Sequence, residues 1–151
     1  MRRVILLMAL IFMGIIFTLF GNSHAAPIKE EYELQERCGK RAEERFKEGY
    51  GNSIVSNGDG TVIMSNYTNH YNRKLNKCFV LVMSTSIPKD KTTREKYGIS
   101  TDKTLWDLNE NKEYGGFFKF SKHALMRCDV LEKHCNSENE WDSLVKPYME
   151  E

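Results

Sequence analysis

The segment from Cys78 to Met83 constrains the fold most, because it reads Cys-Phe-Val-Leu-Val-Met without a single polar residue. A short apolar run of this kind, with polar residues on both sides, is typical of a strand that is buried on both faces. Successive side chains of a strand point to opposite faces, so the segment needs a packing partner on each side. The predicted faces are Cys78, Val80 and Val82 on one side and Phe79, Leu81 and Met83 on the other.

Four cysteines follow the first 25 residues. An even number in an exported chain predicts two disulfides, for which three pairings are open. We favour Cys38 with Cys78, which ties an early helix to the central strand, and Cys128 with Cys135, which closes a short loop. Because the chain has no C-x-x-C pair, the spacing disfavours a zinc site.

The N-terminus has the three parts of an export signal. Two arginines precede the uncharged apolar run Val4–Phe20, and the small residues Ser23 and Ala25 follow it. This order predicts a signal peptide at 1–25, cleaved after Ala25, and one domain over 26–151. The run also nearly reaches the ~17 residues that span a bilayer, so an uncleaved anchor is the alternative.

Charge argues against one class of partner. Removal of the signal peptide lowers Lys and Arg from 22 to 20, against 21 acidic residues. A protein that neutralises nucleic-acid phosphates normally has a clear basic excess, which is absent here. We therefore expect no nucleic-acid partner. The export signal predicts a periplasmic or secreted protein, which we expect to be a monomer without a cofactor. It should contact a membrane only if the anchor is retained.

The remaining pattern predicts an α+β fold, with an N-terminal helix packed on a mainly antiparallel sheet of about four or five strands, a short C-terminal helix and two disulfides. The first helix is expected over Glu30–Lys47, with an apolar residue at every fourth position. The last follows the capping sequence that starts at Ser137, and Pro147 should shorten or distort it. The polar stretch Ile87–Asp102 is predicted to be a surface loop. The candidate strands are Ser53–Ser56, Thr61–Tyr67, Cys78–Met83, Thr104–Leu108, Tyr114–Phe120 and Leu125–Val130.

The densest group of polar side chains comes directly before the central strand. It contains amides, an aromatic hydroxyl, an imidazole and cations, which near a strand connection can converge on a polar ligand such as a peptide or glycan. Turn formation and strand packing are the alternative roles for the same residues. The candidate ligand-binding residues are Asn69, His70, Tyr71, Asn72, Arg73, Lys74 and Lys77.

Three segments together resemble a family of small exported bacterial proteins that carry an NHYNxKLNKC run. They are Asn69–Cys78, Cys38–Lys40 and Leu144–Tyr148, and their order spans most of the mature chain. The function of that family is unassigned. The resemblance implies export from a bacterium and carries no activity.

No sequence motif identifies a reaction. The chain has no G-x-S-x-G elbow, no H-E-x-x-H pair and no phosphate-binding loop, and no residue is assigned a catalytic role. We expect a non-enzymatic domain that binds an envelope or extracellular protein, peptide or glycan. The alternative is a small secreted hydrolase with His70 as general base. His123 and His134 would join His70 as metal ligands only if the fold brought them together, and no metal is predicted.

Overall fold

The computed structural model describes residues 25–150, so the predicted signal peptide at 1–25 lies outside the described residues except for its last position. The described residues fall into two units, 25–33 and 34–150, and the first helix contributes residues to both. In the described part of the first unit, Lys29 Nζ lies 4.0 Å from Glu33 Oε1, one helical turn away. The sheet and both disulfides belong to the second unit.

Three helices and one seven-stranded antiparallel sheet make up the described residues, which confirms the predicted α+β class. The strands follow one another in the sheet in chain order, each hydrogen-bonded to its sequence neighbours. The sheet has more strands than the four or five expected. Six of the seven match the candidate strands of the sequence, and the seventh has only two residues, too few to show a hydrophobic period. The helices are α1 (Ala25–Tyr50), α2 (Lys91–Tyr97) and α3 (Glu138–Met149), and the strands are β1 (Ile54–Ser56), β2 (Val62–Asn72), β3 (Lys77–Ile87), β4 (Ser100–Asp107), β5 (Lys112–Phe120), β6 (Leu125–Val130) and β7 (Lys133–His134).

Strand β3 is covered on both faces, as its apolar run predicts. Cys78, Val80 and Val82 join one buried cluster with residues of α1, whereas Phe79 and Leu81 belong to a second cluster with residues of α3. Burial of each large apolar side chain contributes about 1.5–3 kcal/mol. The other buried members are Cys38, Ala42, Phe46 and Leu108 in the first cluster and Leu105, Phe117, Cys128, Val130, Cys135, Trp141 and Val145 in the second.

Both disulfides form the favoured pairs. Cys38 and Cys78 join α1 to β3 with 5.4 Å between their Cα atoms, across 40 positions of the chain. Cys128 and Cys135 lie 5.0 Å apart at Cα and close the hairpin of β6 and β7. The first bridge therefore joins two layers, whereas the second restrains one local turn.

The prediction of a surface loop over Ile87–Asp102 was wrong about the local structure. It contains helix α2 and the first residues of β4. The Asp90 carboxylate accepts a hydrogen bond of 2.6 Å from the Thr93 N–H and starts the helix, and Gly98, with φ of 76°, ends it. The segment is nevertheless at the surface, since α2 contains no buried residue.

Strands β5 and β6 approach each other closely. Leu105 of β4 pairs with Gly115 whereas Trp106 pairs with Glu113, so Tyr114 is an extra residue in β5. A Cβ atom on Gly115 would lie 2.4 Å from the Asp129 carbonyl oxygen. Only glycine permits this approach, which shapes the end of the sheet nearest α3.

Candidate functional site

The predicted ligand-binding residues of β2 are divided between the two faces of the sheet. Asn69 and Tyr71 pair with Val80 and Cys78 and so lie on the α1 face. His70, which pairs with Phe79, and the buried Asn72 lie on the α3 face. Because β2 continues through this segment, its side chains alternate and do not present one surface.

Two of these residues contact α1. The Tyr71 N–H donates a hydrogen bond of 2.8 Å to Gln35 Oε1, and Asn69 Nδ2 lies 3.8 Å from Cys38 Sγ. Both contacts hold the helix against the sheet. Ligand binding by Asn69 and Tyr71 stays a prediction.

Asn72 joins the turn after β2 to α3. Its side chain is 1% exposed, donates a hydrogen bond of 2.9 Å to the Pro147 carbonyl and accepts one of 3.0 Å from the Leu75 N–H. The turn itself contains Arg73 and Lys74, which are exposed to solvent. Asn72 thus positions the last turn of α3.

Lys77 is the centre of an internal polar network. Its ammonium donates hydrogen bonds to Asp107 Oδ2 at 2.6 Å, Glu110 Oε1 at 2.6 Å and the Tyr114 hydroxyl at 2.7 Å. The hydrogen bond to Asp107, followed by those to Glu110 and Tyr114, holds the pKa of Lys77 well above its usual range. Three acceptors occupy the three donors of the ammonium, so Lys77 supports Tyr114 from inside the fold.

A cleft of about 920 Å³ lies between α3 and the ends of β5, β6 and β7. Pro147, which Asn72 holds, and Tyr114, which Lys77 holds, are both part of its lining. Two predicted residues therefore lie behind the cleft and position its wall. The apolar part of the lining consists of Tyr114, Val130, Leu131, Leu144, Pro147 and Tyr148.

The charges around the cleft are partly neutralised within the protein. Arg127 pairs with Glu113 and, at 2.8 Å from Nε to Oδ1, with Asp129. The hydrogen bonds from Arg127 lower the pKa of the Asp129 carboxyl, because they stabilise its charged form. Lys112 and Lys133, in contrast, form no ion pair with any residue that the structure describes.

The lining offers binding groups more than reactive ones. The Ser143 hydroxyl donates to the Asn139 carbonyl at 2.8 Å, and the Tyr114 hydroxyl accepts from Lys77. Among the described residues, no histidine and no cysteine lines the cleft, and no three potential metal ligands lie together. His70, His123 and His134 are accordingly not brought into one group.

Sequence reasoning missed the cleft because three separate segments of the chain line it. Each of these segments reads as an ordinary amphipathic helix or strand, and only their packing creates the concave surface. One local signal was available. Leu131 is an apolar residue at the tip of the short loop between Cys128 and Cys135, where a polar turn residue is usual.

A comparison with protein-family models, curated proteins and solved structures finds no match to this chain. The fold and cleft define a small disulfide-bonded α+β domain, and two disulfides are typical of proteins that mature in an oxidising compartment. Between residues 25 and 150, no helix combines the length and the apolar character that crossing a membrane requires.

Proposed function

We propose that this protein is an exported binding domain, periplasmic or secreted, that holds a segment of a protein or peptide partner without converting it chemically. The observation that carries the proposal is the cleft between α3 and the β5–β7 strands. Its volume of about 920 Å³ lies within the range of about 300–1,000 Å³ typical of ligand sites. The leader sequence and the resemblance to small exported bacterial proteins support export.

The chemistry of the lining favours a polypeptide over a glycan. Leu131, Leu144 and Pro147 form an aliphatic wall that suits an apolar side chain. The two aromatic rings in the wall, Tyr114 and Tyr148, meet edge to face at 5.5 Å between centroids. Each ring covers part of the other, which leaves less flat ring surface for stacking against a sugar.

The hydrogen bonding in the cleft supports binding without catalysis. Nucleophilic catalysis by a hydroxyl or thiol needs a base within reach of that group. The Ser143 hydroxyl instead donates to a backbone carbonyl, and the carboxylates of Glu113 and Asp129 both form ion pairs with Arg127. The hydrogen bonds and ion pairs of these groups are made within the protein.

A substitution that fills the cleft tests the proposal. Ser143 is exposed on α3, so Ser143→Arg adds a bulky side chain to the cleft with little change in the core. The oxidised protein, expressed as the full chain with its own leader, would be panned against a random peptide library and applied to a glycan array. We expect peptides to be enriched on the unmodified protein and lost, with affinity at least tenfold weaker, on Ser143→Arg.

Ser53→Arg is the matched control, because Ser53 is an exposed serine outside the cleft, in the loop before β1. It should bind the enriched peptides as the unmodified protein does, and Arg73→Ala should do so as well if the cleft is the site. Peptides that bind Ser143→Arg equally well would contradict the proposal. Selective glycan binding would contradict a polypeptide ligand. Turnover of peptide, ester or phosphoester substrates would contradict binding without catalysis.

A further inference from the structure

A second surface lies at the end of β5 and β6 that is farther from the cleft. The cleft is lined by the first residues of β5 and by residues that follow β6, whereas this surface contains the loop 121–124 between the two strands. Helix α2 lies against that loop, since the Lys122 ammonium donates a hydrogen bond of 2.7 Å to the Glu95 carbonyl. We call residues 89–99 and 119–126 together the α2 surface.

Cations outnumber anions on the α2 surface and on the turn that joins β1 to β2. This turn lies beside the α2 surface, because a Cβ atom on Gly60 would be 3.0 Å from Lys89 Cδ. Residues 119–126 contain two lysines and no acidic residue. Among the described residues, the ion pair of Lys91 with Glu95, at 3.8 Å, is the one formed within this group of charges. The exposed basic residues are Lys89, Lys91, Arg94, Lys96, Lys119 and Lys122, and the exposed acidic residues are Asp59, Asp90 and Glu95. The excess is three positive charges.

Exposed apolar side chains lie among these cations. Met126 is 64% exposed and Ile99 is 40% exposed, and neither belongs to a buried cluster. Met126 lines a pocket of about 330 Å³ together with Tyr97, Phe120 and His123. The centroid of the Tyr97 ring lies 5.6 Å from that of Phe120 and 5.3 Å from that of His123. The α2 surface thus combines aromatic and aliphatic groups with a surrounding positive charge.

This combination fits an anionic bilayer better than a soluble polyanion. Lysine and arginine near a membrane are attracted by the negative potential of its head groups. Apolar and aromatic side chains beside them can enter the boundary between head groups and acyl chains. A soluble polyanion would pair with the cations but would leave Met126 and Ile99 in water.

We infer that the α2 surface docks the folded domain on an anionic bilayer. Met126 and Ile99 enter the boundary of the acyl chains, and the surrounding cations pair with lipid phosphates. The sequence predicted membrane contact only through a retained anchor, so the α2 surface is a second route, within the folded domain itself. It is independent of the proposed function, because the cleft lies at the other end of β5 and β6.

Binding to vesicles tests the inference. The probes are vesicles of phosphatidylcholine alone and vesicles of equal parts phosphatidylcholine and phosphatidylglycerol. The full-length oxidised protein should sediment with the mixed vesicles only, and more weakly at about 1 M salt, where the Debye length falls to about 3 Å. Arg94→Glu with Lys119→Glu should lower the partition coefficient about tenfold to a hundredfold. Met126→Ser, which changes no charge, should lower it about fivefold to tenfold.

Arg73→Glu with Lys74→Glu is the matched control, because it changes the net charge equally in an exposed turn at the opposite end of the sheet. It should bind the mixed vesicles as the unmodified protein does. All variants carry the same leader, so its retention affects them equally, and circular dichroism shows whether each is folded. The inference is overturned if the mixed vesicles do not bind, or if the control loses as much affinity as the Arg94 and Lys119 variant. It is also overturned if Met126→Ser keeps full affinity, since the surface would then serve a soluble polyanion.

Discussion

At the residue scale, Asp102 is a carboxylate in an unfavourable environment. It is half-buried on β4, where the Thr104 hydroxyl donates a hydrogen bond of 3.2 Å to Oδ1. Burial raises the pKa of Asp102, and the hydrogen bond from Thr104 offsets only part of this effect. The ionised form is therefore less stable in the folded protein than in the unfolded chain.

This environment predicts that Asp102→Asn stabilises the protein at neutral pH. A carboxyl group with a raised folded-state pKa favours folding below its unfolded pKa of about 4, and that contribution is lost as the pH rises through the folded pKa. The free energy of unfolding of Asp102→Asn should exceed that of the unmodified protein at pH 7. The difference should vanish below about pH 4, where both side chains are neutral. Urea denaturation at a series of pH values measures it.

Asp90→Asn is the opposite case and serves as the control. The backbone hydrogen bond from Thr93 lowers the pKa of Asp90, so its charge favours folding above the unfolded pKa and this contribution is lost as the pH falls. Asp90→Asn should not stabilise the protein at pH 7. A loss of stability in Asp102→Asn at neutral pH would show that the hydrogen bond with Thr104 outweighs the burial of the charge.

At the scale of elements, Lys77 links the start of β3 to the turn between β4 and β5. Its partner Asp107 has no exposed side-chain surface, and Asp107 Oδ1 also accepts from the Asn109 N–H at 2.8 Å. The other carboxylate oxygen depends on Lys77. The network therefore holds two hairpin turns and the cleft residue Tyr114 in one arrangement.

Removal of the Lys77 charge should be costly because it leaves a buried carboxylate without its cation. We expect Lys77→Met to lower the free energy of unfolding by about 3 kcal/mol. Lys74→Met, an exposed lysine of the neighbouring turn, should change it by no more than about 0.5 kcal/mol. Urea denaturation of both variants compares them. Equal effects of the two substitutions would mean that the network contributes no more than a solvated lysine.

At the scale of the whole molecule, the two disulfides have different consequences. The bridge between Cys38 and Cys78 spans 40 positions, and the one between Cys128 and Cys135 spans 7. Loop-closure entropy predicts a contribution of about 4 kcal/mol for the long loop and about 2 kcal/mol for the short one. The short bridge, however, restrains the hairpin that lines the cleft.

We therefore expect the two double variants to separate stability from binding. Cys38→Ala with Cys78→Ala should reduce the free energy of unfolding more, whereas Cys128→Ala with Cys135→Ala should weaken peptide binding more. Denaturation and peptide titration of both variants provide the comparison. If the Cys128 and Cys135 variant kept full affinity, the rigidity of the hairpin would not contribute to binding.

Features with a short-range signal were predictable. The central strand was readable because six apolar residues leave no polar face, and α1 was readable from its repeat of apolar residues at every fourth position. The favoured cysteine pairs agree with the structure because one closes a local loop and the other joins two elements that had to pack together. In the candidate site, Asn72 and Lys77 were predicted to bind a ligand, and their observed contacts support the cleft from behind.

The sequence by itself determined which residues are apolar, where the first and last helices and the central strand form, and that two layers must cover the sheet. Only the tertiary structure decided that β2 continues through the polar run and divides Asn69 and His70 between opposite faces. It also decided that Leu131 meets Leu144 and Tyr148 around one cleft. The physical reason is range: periodicity and turn preference act over a few neighbouring residues, whereas strand pairing and concave surfaces arise when distant segments bury their apolar faces together.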